Sequence, residues 1–519
     1  MTAAAPANLD QFPLIPRDHL FGNPTKAGGK LSPDGKWLSW LAPVDGVLNI
    51  WIAPRDSLGD DHDAARPITK ATERPIRQQM WSPDSTAVLY IQDKGGDENF
   101  LLYSVNVATG VETTLTPFEN TRVDIVGGSE SIRDKILVGL NNRDPQFHDV
   151  HLLNLTTGEL ELVYENNGYA GFVADDTLTL RMAMRQNEAG GSDYFDITDN
   201  VVADEPFETT AMEDSLTTTP SGYSNDGSIL YWLDSRDRDT AALFAQDTQT
   251  GKRTLIAQDE RADISGTLAD KKTGEVIAYS VNYLKTEWTA LDEGIKEAFA
   301  WLGARLEGEF GVNSRTDDDQ IWIVWNDPVT APSQTFIYDR TAQTLTPFYV
   351  TRPELEGAPL QPMHPVEIPA RDGLTLPSYL TLPPGCDPDA TGRPNAPVPL
   401  VLQVHGGPWA RDEYGFSNNV QWLANRGYAV LQVNFRGSTG FGKNFLNSAN
   451  KQWGLAMHDD LIDAVGWAVA QGVTAKDTVA IMGGSYGGYA TLAGLAFTPD
   501  VFVCGVDIVG PSNLETLLE

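Results

Sequence analysis

A short turn followed by an apolar strand recurs through the first two-thirds of the sequence, and this repeat narrows the possible folds more than any other feature. It reads "SPDGKWLSW" from Ser32, "SPDSTAVLY" from Ser82, "SIRDKILVG" from Ser131 and "ADDTLTLRM" from Ala174, then "SNDGSILYW" from Ser224, "KTGEVIAYS" from Lys272 and "DDDQIWIVW" from Asp317. The copies lie 43 to 50 residues apart. Proline, aspartate and glycine at the head of the better copies favour a tight turn before the strand. A second marker runs out of phase with the first: "NVATGVETTL" from Asn106, "NLTTGELELV" from Asn154, "DTQTGKRTLI" from Asp247 and a weaker "DRTAQTLTPF" from Asp339, with Gln343 where the glycine would be. Each reads as strand, turn, strand. Short strands at this period fit a β-propeller with one four-stranded blade per repeat, whereas stacked β-sandwich modules need about 100 residues each. Seven copies predict seven blades over residues 26–355, after an N-terminal segment, residues 1–25.

Beyond residue 355 the pattern changes. "PVPLVLQVHGG" and "GYAVLQVNFRG" are apolar, β-branched runs ending in glycine, and "HDDLIDAVGWAVAQG" has apolar residues at helical spacing with a stop at Gly472. Strand "TVAIMGG", helix "GGYATLAGLAF" and strand "VFVCGVDIVG" follow, while "ATGRPNAPVP" reads as a loop. Strands that alternate with helices and are apolar throughout predict an α/β domain over residues 356–519, with a mostly parallel sheet covered on both faces.

Charge narrows the partners. With 71 acidic against 37 basic residues the formal charge is −34, a field that repels phosphate backbones and anionic lipid surfaces. Nucleic-acid and membrane partners are therefore not expected. Two cysteines, Cys386 and Cys504, cannot build a disulfide framework, and Cys504 reads as a small core residue in its apolar run. The start, "MTAAAPANLDQFPLIP", lacks the basic and continuous apolar regions of a signal peptide, and there is no run of about 20 apolar residues. A cytoplasmic location is the expectation. No cofactor and no metal are called for, and the oligomeric state is not legible.

Gly483-Gly484-Ser485-Tyr486-Gly487 matches G-x-S-x-G between a predicted strand and a predicted helix, the setting of a nucleophile elbow. Ser485 is the candidate nucleophile. An acyl-transfer serine needs donors for the developing oxyanion. One is expected from the backbone N–H of Tyr486; the other from "HGGPWARDEYG", where Gly407 N–H is preferred. His405 precedes the serine and is expected to shape that loop instead of acting as base. Asn434 and Arg436 read equally well as loop-fixing residues, and Asp459 and Asp460 as residues that cap or solvate a helix.

"HGGPWA", "NFRGSTGFG", "MHDDLIDAV" and "GGSYGGY", in this order behind a propeller, together with "FPLIPRDHLFGNP" ahead of it, resemble the prolyl oligopeptidase family of serine peptidases, which includes dipeptidyl and acylaminoacyl peptidases. The resemblance implies hydrolysis of peptide bonds in short peptides through an acyl-enzyme on Ser485, with the propeller limiting access of folded proteins, and it implies that residues 434–442 support the site. The acid and base follow the serine in this fold. Beyond Ser485 the sequence holds Asp500, Asp507, Glu515 and Glu519 but no histidine, all seven lying earlier. Asp507, inside a predicted strand, reads as structural. The expectation is a chain in which the hydrolase domain is truncated after its nucleophile half, nearly inactive alone, with a sheet edge and apolar surface uncovered. The alternatives are a carboxylesterase-type hydrolase with an appended propeller and a non-catalytic propeller scaffold or pseudoenzyme.

Overall fold

The computed structural model describes residues 11–57 and 64–518. The first ten residues of the N-terminal segment, His62 and Glu519 lie outside the described residues. Seven antiparallel sheets follow one another from Ala27 to Val350, one for each copy of the repeat. The second strand of each sheet begins just after the turn motif: Trp37–Val44, Ala87–Gln92, Lys135–Asp144, Leu180–Gln186, Ile229–Asp234, Val276–Asn282 and Ile321–Asp327.

The motif has a physical reason. In blade 1 the Trp37 N–H donates to Ser32 Oγ (2.9 Å), and that hydroxyl donates to Asp34 (2.7 Å). Blades 2 and 5 repeat the pattern with Ser82 and Asp84 and with Ser224 and Asp226, and blade 7 substitutes Thr316 and Asp318. A hydroxyl two residues before an aspartate thus closes the turn on the first amide of the next strand. In the second marker, Gln343 takes φ +50°, the left-handed conformation that Gly110, Gly158 and Gly251 supply in the other copies.

Four strands per blade hold except at blades 4 and 6. In blade 4 both Val201–Val202 and Glu208–Thr210 pair with the third strand. Blade 6 has three strands, Ile264–Ala269, Val276–Asn282 and Thr286–Ala290. A helix, Glu293–Gly303, replaces the expected fourth strand because Asp292 caps it through the Ile295 N–H, and Ile295, Ala298 and Leu302 form an apolar stripe at helical spacing. That stripe packs on Trp322, Val324 and Tyr338 of blade 7.

Blades 1 and 7 are each built from one continuous stretch, so the ring closes by side-chain packing: Leu31, Leu38 and Trp40 meet Ile323, Ile337 and Phe348. At one end of the ring the turns between first and second strands interlock. Arg133 of blade 3 pairs with Asp317 of blade 7 at 2.7 Å and donates to the Pro83 carbonyl of blade 2. Lys271 of blade 6 lies 3.6 Å from Glu130 of blade 3 and 3.8 Å from Asp317. Blade 3 stands opposite blades 6 and 7 in a ring of seven, so these contacts reach across the axis.

The second domain has a six-stranded sheet of β1 (Met363–Pro369), β2 (Thr375–Thr381), β3 (Leu400–Val404), β4 (Ala429–Val433), β5 (Val479–Gly484) and β6 (Cys504–Ile508), in the order β1-β2-β4-β3-β5-β6. β4, β3, β5 and β6 run parallel, and β1 and β2 join antiparallel at one edge. Helices Asn418–Ala424 (α1), Lys443–Asn447 (α2), Ala456–Ala470 (α3) and Tyr486–Phe497 (α4) complete the α/β-hydrolase arrangement. β3 and β4 are buried as their composition predicts and β5 alternates buried with half-buried residues, but β6 is open: Cys504, Val506, Asp507 and Ile508 are exposed, as are Phe497, Val503 and Val509. Cys504 is therefore a surface residue, not the core residue its apolar neighbours suggest, because no further element of the described chain packs on that side of β6. No helix among the described residues is long and apolar enough to cross a membrane.

This domain rests on blades 4 to 7 and on the N-terminal segment. Lys443 Nζ pairs with Asp214 (2.8 Å), the Asn444 N–H donates to Asp239, Arg411 donates to the Asn282 carbonyl, and the Phe416 N–H donates to Asp327. Asn425 and Arg426 hold the backbone of Pro13 and Ile15. Among the described residues no hydrogen bond or ion pair joins it to blades 1 to 3.

Candidate active site

β5 delivers its chain to a sharp turn at its C-terminal end, and α4 begins at the next residue. Ser485 occupies the turn with φ +56° and ψ −120°, a conformation rarely adopted by a residue with a side chain. Its N–H donates to the Ile508 carbonyl (2.9 Å) and its own carbonyl accepts from Tyr489 (3.0 Å), so sheet pairing on one side and the first helical turn on the other fix the conformation. The turn closes only because small residues surround it. A methyl group on Gly487 would run into the Val404 carbonyl, and one on Gly488 would strike the Asp507 carboxylate and the backbone of Gly510. The Ser485 side chain is exposed, and its hydroxyl makes no hydrogen bond among the described residues.

The loop after β3 comes beside it. A methyl on Gly406 would lie 3.1 Å from the Gly484 carbonyl oxygen and 3.4 Å from Ser485 Cβ. Gly406 is thus the residue in contact with the serine, and Gly407, with φ +120°, follows it as the backbone turns away toward Trp409. Tyr486 opens α4, so its N–H has no partner one turn back. Its ring is buried against Phe435 (5.1 Å between centroids) and Trp453 (4.6 Å).

His405 is held away from Ser485. One ring nitrogen lies 2.7 Å from the Gly406 carbonyl, the other 2.8 Å from Ser438 Oγ, and the ring stacks on Phe435 at 4.4 Å. Burial pushes its pKa down to about 4, so it sits neutral as a brace for the loop. The loop is fixed again by Asn434, which accepts from the Asp412 N–H (2.7 Å) and donates to the Asp412 carbonyl (3.1 Å). The Asp412 side chain accepts from Gln432 (2.7 Å), while its second oxygen is buried without a partner, and burial raises its pKa to about 7.

Asp460 departs from the sequence expectation. It neither caps nor solvates α3: it is fully buried and takes both the Nε and Nη2 of Arg436 at 2.9 and 2.7 Å, plus the Arg436 N–H. The paired carboxylates of Asp460 and Asp372 hold the guanidinium above its ordinary pKa. The sequence did carry a signal, since residue 460 falls on the stripe of Met457, Leu461 and Ala464 that α3 buries. Asp459, by contrast, is half-buried and pairs with Arg371 at 2.7 Å. Asp507 accepts from the Gly510 N–H (2.9 Å) at the end of β6, a turn-closing contact that agrees with the structural reading.

The other described histidines lie elsewhere. His458 meets Thr498 at 3.1 Å beside the far end of α4, His364 lies 3.7 Å from Asp387, His148 and His151 are in blade 3, and His19 is in the short helix Arg17–Phe21 of the N-terminal segment. The structure therefore brings Ser485, Tyr486 and the Gly406–Gly407 turn together, and it gathers no general base with them among the described residues.

Residues 414–518 match the model of the prolyl oligopeptidase family. Dipeptidyl aminopeptidase BIII of Pseudoxanthomonas mexicana is 54% identical over 519 residues, covering 99% of this chain and 75% of that protein. Dipeptidyl peptidase family member 6 of Caenorhabditis elegans is 34% identical over 541 residues, covering 98% and 72%. Among solved structures, a puromycin-hydrolysing peptidase of Mycobacterium tuberculosis superposes with a TM-score of 0.71 at 16% identity, covering 97% of this chain and 80% of that one.

Proposed function

Because the chain belongs to the prolyl oligopeptidase family of serine peptidases, we propose that Ser485 is the nucleophile of a peptidase that releases dipeptides from the free amino ends of short peptides. The observation that carries this reading is the exposed Ser485 hydroxyl on a positive-φ turn, with Gly406 packed against it. The hydroxyl attacks the scissile carbonyl and the developing oxyanion lies between the N–H groups of Tyr486 and Gly407. The C–N bond then breaks, the hydroxyl proton passes by way of a general base to the departing amine, and water hydrolyses the ester left on Ser485 Oγ to release the dipeptide and restore the hydroxyl. The dipeptidyl specificity is supported by the name of the relative at 54% identity. The seven-bladed ring limits access of folded proteins, and the free thiols of Cys386 and Cys504 accord with a cytoplasmic place of action.

The 519-residue polypeptide by itself turns over slowly in this reading. A serine hydroxyl is a weak nucleophile without a base, and loss of such a partner costs about 10⁴- to 10⁶-fold in rate in serine peptidases. The test is hydrolysis of dipeptide anilides, with free and with blocked amino termini, by this chain and by a fusion that adds the C-terminal quarter of the 54%-identical relative. The fusion is expected to cleave the free-amine substrates, to prefer them to blocked ones, and to lose activity as Ser485→Ala. A fusion that cleaves no peptide but hydrolyses simple acyl esters overturns the reading.

A further inference from the structure

We propose that the ends of blades 2 to 4 facing the hydrolase domain form a carboxylate-binding groove, which takes the acidic group of a peptide with an apolar residue beside it. The acid is a free C-terminus or an acidic side chain. This deepens the peptidase reading and rests on it, since it names the substrate chemistry the ring selects.

The placement follows from the topology. Contacts with the hydrolase domain come from the connections between second and third strands and between successive blades, through Asp239, Asp263, Asn282 and Asp327. The same connections in blades 2 to 4 point to the same side of the ring but carry no such contact in blades 2 and 3. Two adjoining cavities open there. One, of about 270 Å³, lies between blades 2 and 3 and includes Arg74, Arg77, Phe100 and Arg122. The other, of about 490 Å³, lies between blades 3 and 4 and includes His148, Tyr169, Phe172 and Arg185. Asp124 lines both.

The arginines are unusual in a chain of formal charge −34, and they are unequally engaged. Arg74 is committed, holding both oxygens of Asp93 at 3.1 and 3.0 Å. Arg77 is exposed and has no carboxylate within 4.0 Å among the described residues. Arg122 reaches only Asp124, at 3.5 Å, and Arg185 lies over the Phe195 ring at 4.8 Å with Asp193 no nearer than 3.9 Å. The intruding carboxylate of Asp124 is itself bracketed by Arg122 and by His148 at 3.3 Å. Planar guanidinium donors with spare hydrogen bonds match a carboxylate in two-pronged fashion, and they repel a peptide amine. Phe100, Tyr169 and Phe172 offer the apolar wall for a neighbouring side chain.

The test is calorimetric titration of the 519-residue chain with Ala-Phe-Ala-Phe as free acid, the same peptide as its C-terminal amide, and the amide Ala-Phe-Glu-Phe-NH₂. The free acid, the glutamate amide or both are expected to bind at least 10-fold tighter than the plain amide, and whichever does so identifies the source of the carboxylate. The double variant Arg77→Glu with Arg122→Glu should lower that affinity at least 10-fold, to the level of the plain amide. Its thermal melt should match the parent, because both side chains are exposed. Equal binding of all three peptides, no binding at all, or an undiminished affinity in the double variant overturns the proposal. The readout is binding, so it stands apart from whether Ser485 acts as a nucleophile.

Discussion

Each propeller blade closes over neighbouring stretches of chain, whereas the sheet that carries Ser485 joins distant ones. In blade 2, Ala87–Gln92 pairs with Leu101–Asn106, and a serine two residues from an aspartate sets the turn in between the first two strands. In the second domain Leu400 pairs with Val479 and Ala480 with Cys504, and the loop from β3 must meet the turn after β5 before any site exists. The blades therefore owe their stability to many small, repeated, local terms. The site owes its shape to a few contacts between segments far apart, some of them buried and charged. Changes of similar chemical size should have unequal effects in the two regions.

The largest effect is expected at the buried ion pair. Asp460→Ala leaves the Arg436 guanidinium buried opposite nothing but the half-exposed Asp372, and it should cost about 3–5 kcal/mol in unfolding of the hydrolase domain. Denaturant unfolding followed separately for the two domains checks this, and an equal loss in the propeller would break the distinction. Gly487→Ala should cost about 3 kcal/mol or more, because the added methyl meets the Val404 carbonyl and the helix cannot withdraw without opening the elbow. Restored stability without a shift of α4, seen by crystallography, would count against that account.

Asp412 tests the same region through pH. Its pKa lies at about 7 in the folded chain, above the value near 4 of an unfolded aspartate, so the folded state holds a proton that the unfolded state releases. The contribution of this carboxyl to stability is then fully present below about pH 4 and is lost as pH rises through 7. Asp412→Asn should remove most of that decline, roughly 4 kcal/mol for a rise from near 4 to about 7, measured as the difference between the two proteins' stability curves from pH 4 to 8. Parallel curves would mean that the carboxyl is ionised throughout. The smallest effect is expected in the blades. Ser82→Ala removes the acceptor of the Ala87 N–H and the partner of Asp84, and should cost about 1 kcal/mol, with Ser32→Ala and Ser224→Ala close to it. A far larger cost at one of the three would show that the blades do not share their load evenly.

The same distinction governs what could be read from the sequence. The turn motif announces itself because its serine, aspartate and following strand touch one another, so seven blades were legible even where Ser131, Ala174 and Lys272 open degenerate copies. Blade 6 was misread in part because a helix of 11 residues took the place of a strand, and only the spacing of Ile295, Ala298 and Leu302 distinguished it. The elbow at Ser485 was legible as a local motif. The pairing of Asp460 with Arg436, and the position of Gly406 against the serine, were not, since each depends on elements brought together only by the finished sheet. Cys504 misled for the complementary reason: apolar neighbours mark a core only where something covers them.

The bonds across the axis of the ring carry a mechanical consequence. Arg133 and Lys271 tie blade 3 to blades 6 and 7, so the diameter is pinned at that rim like the cinched neck of a bag. Widening of the ring then falls to the opposite mouth, beneath the domain that bears the serine, on the flank where no hydrogen bond or ion pair among the described residues joins that domain to blades 1 to 3.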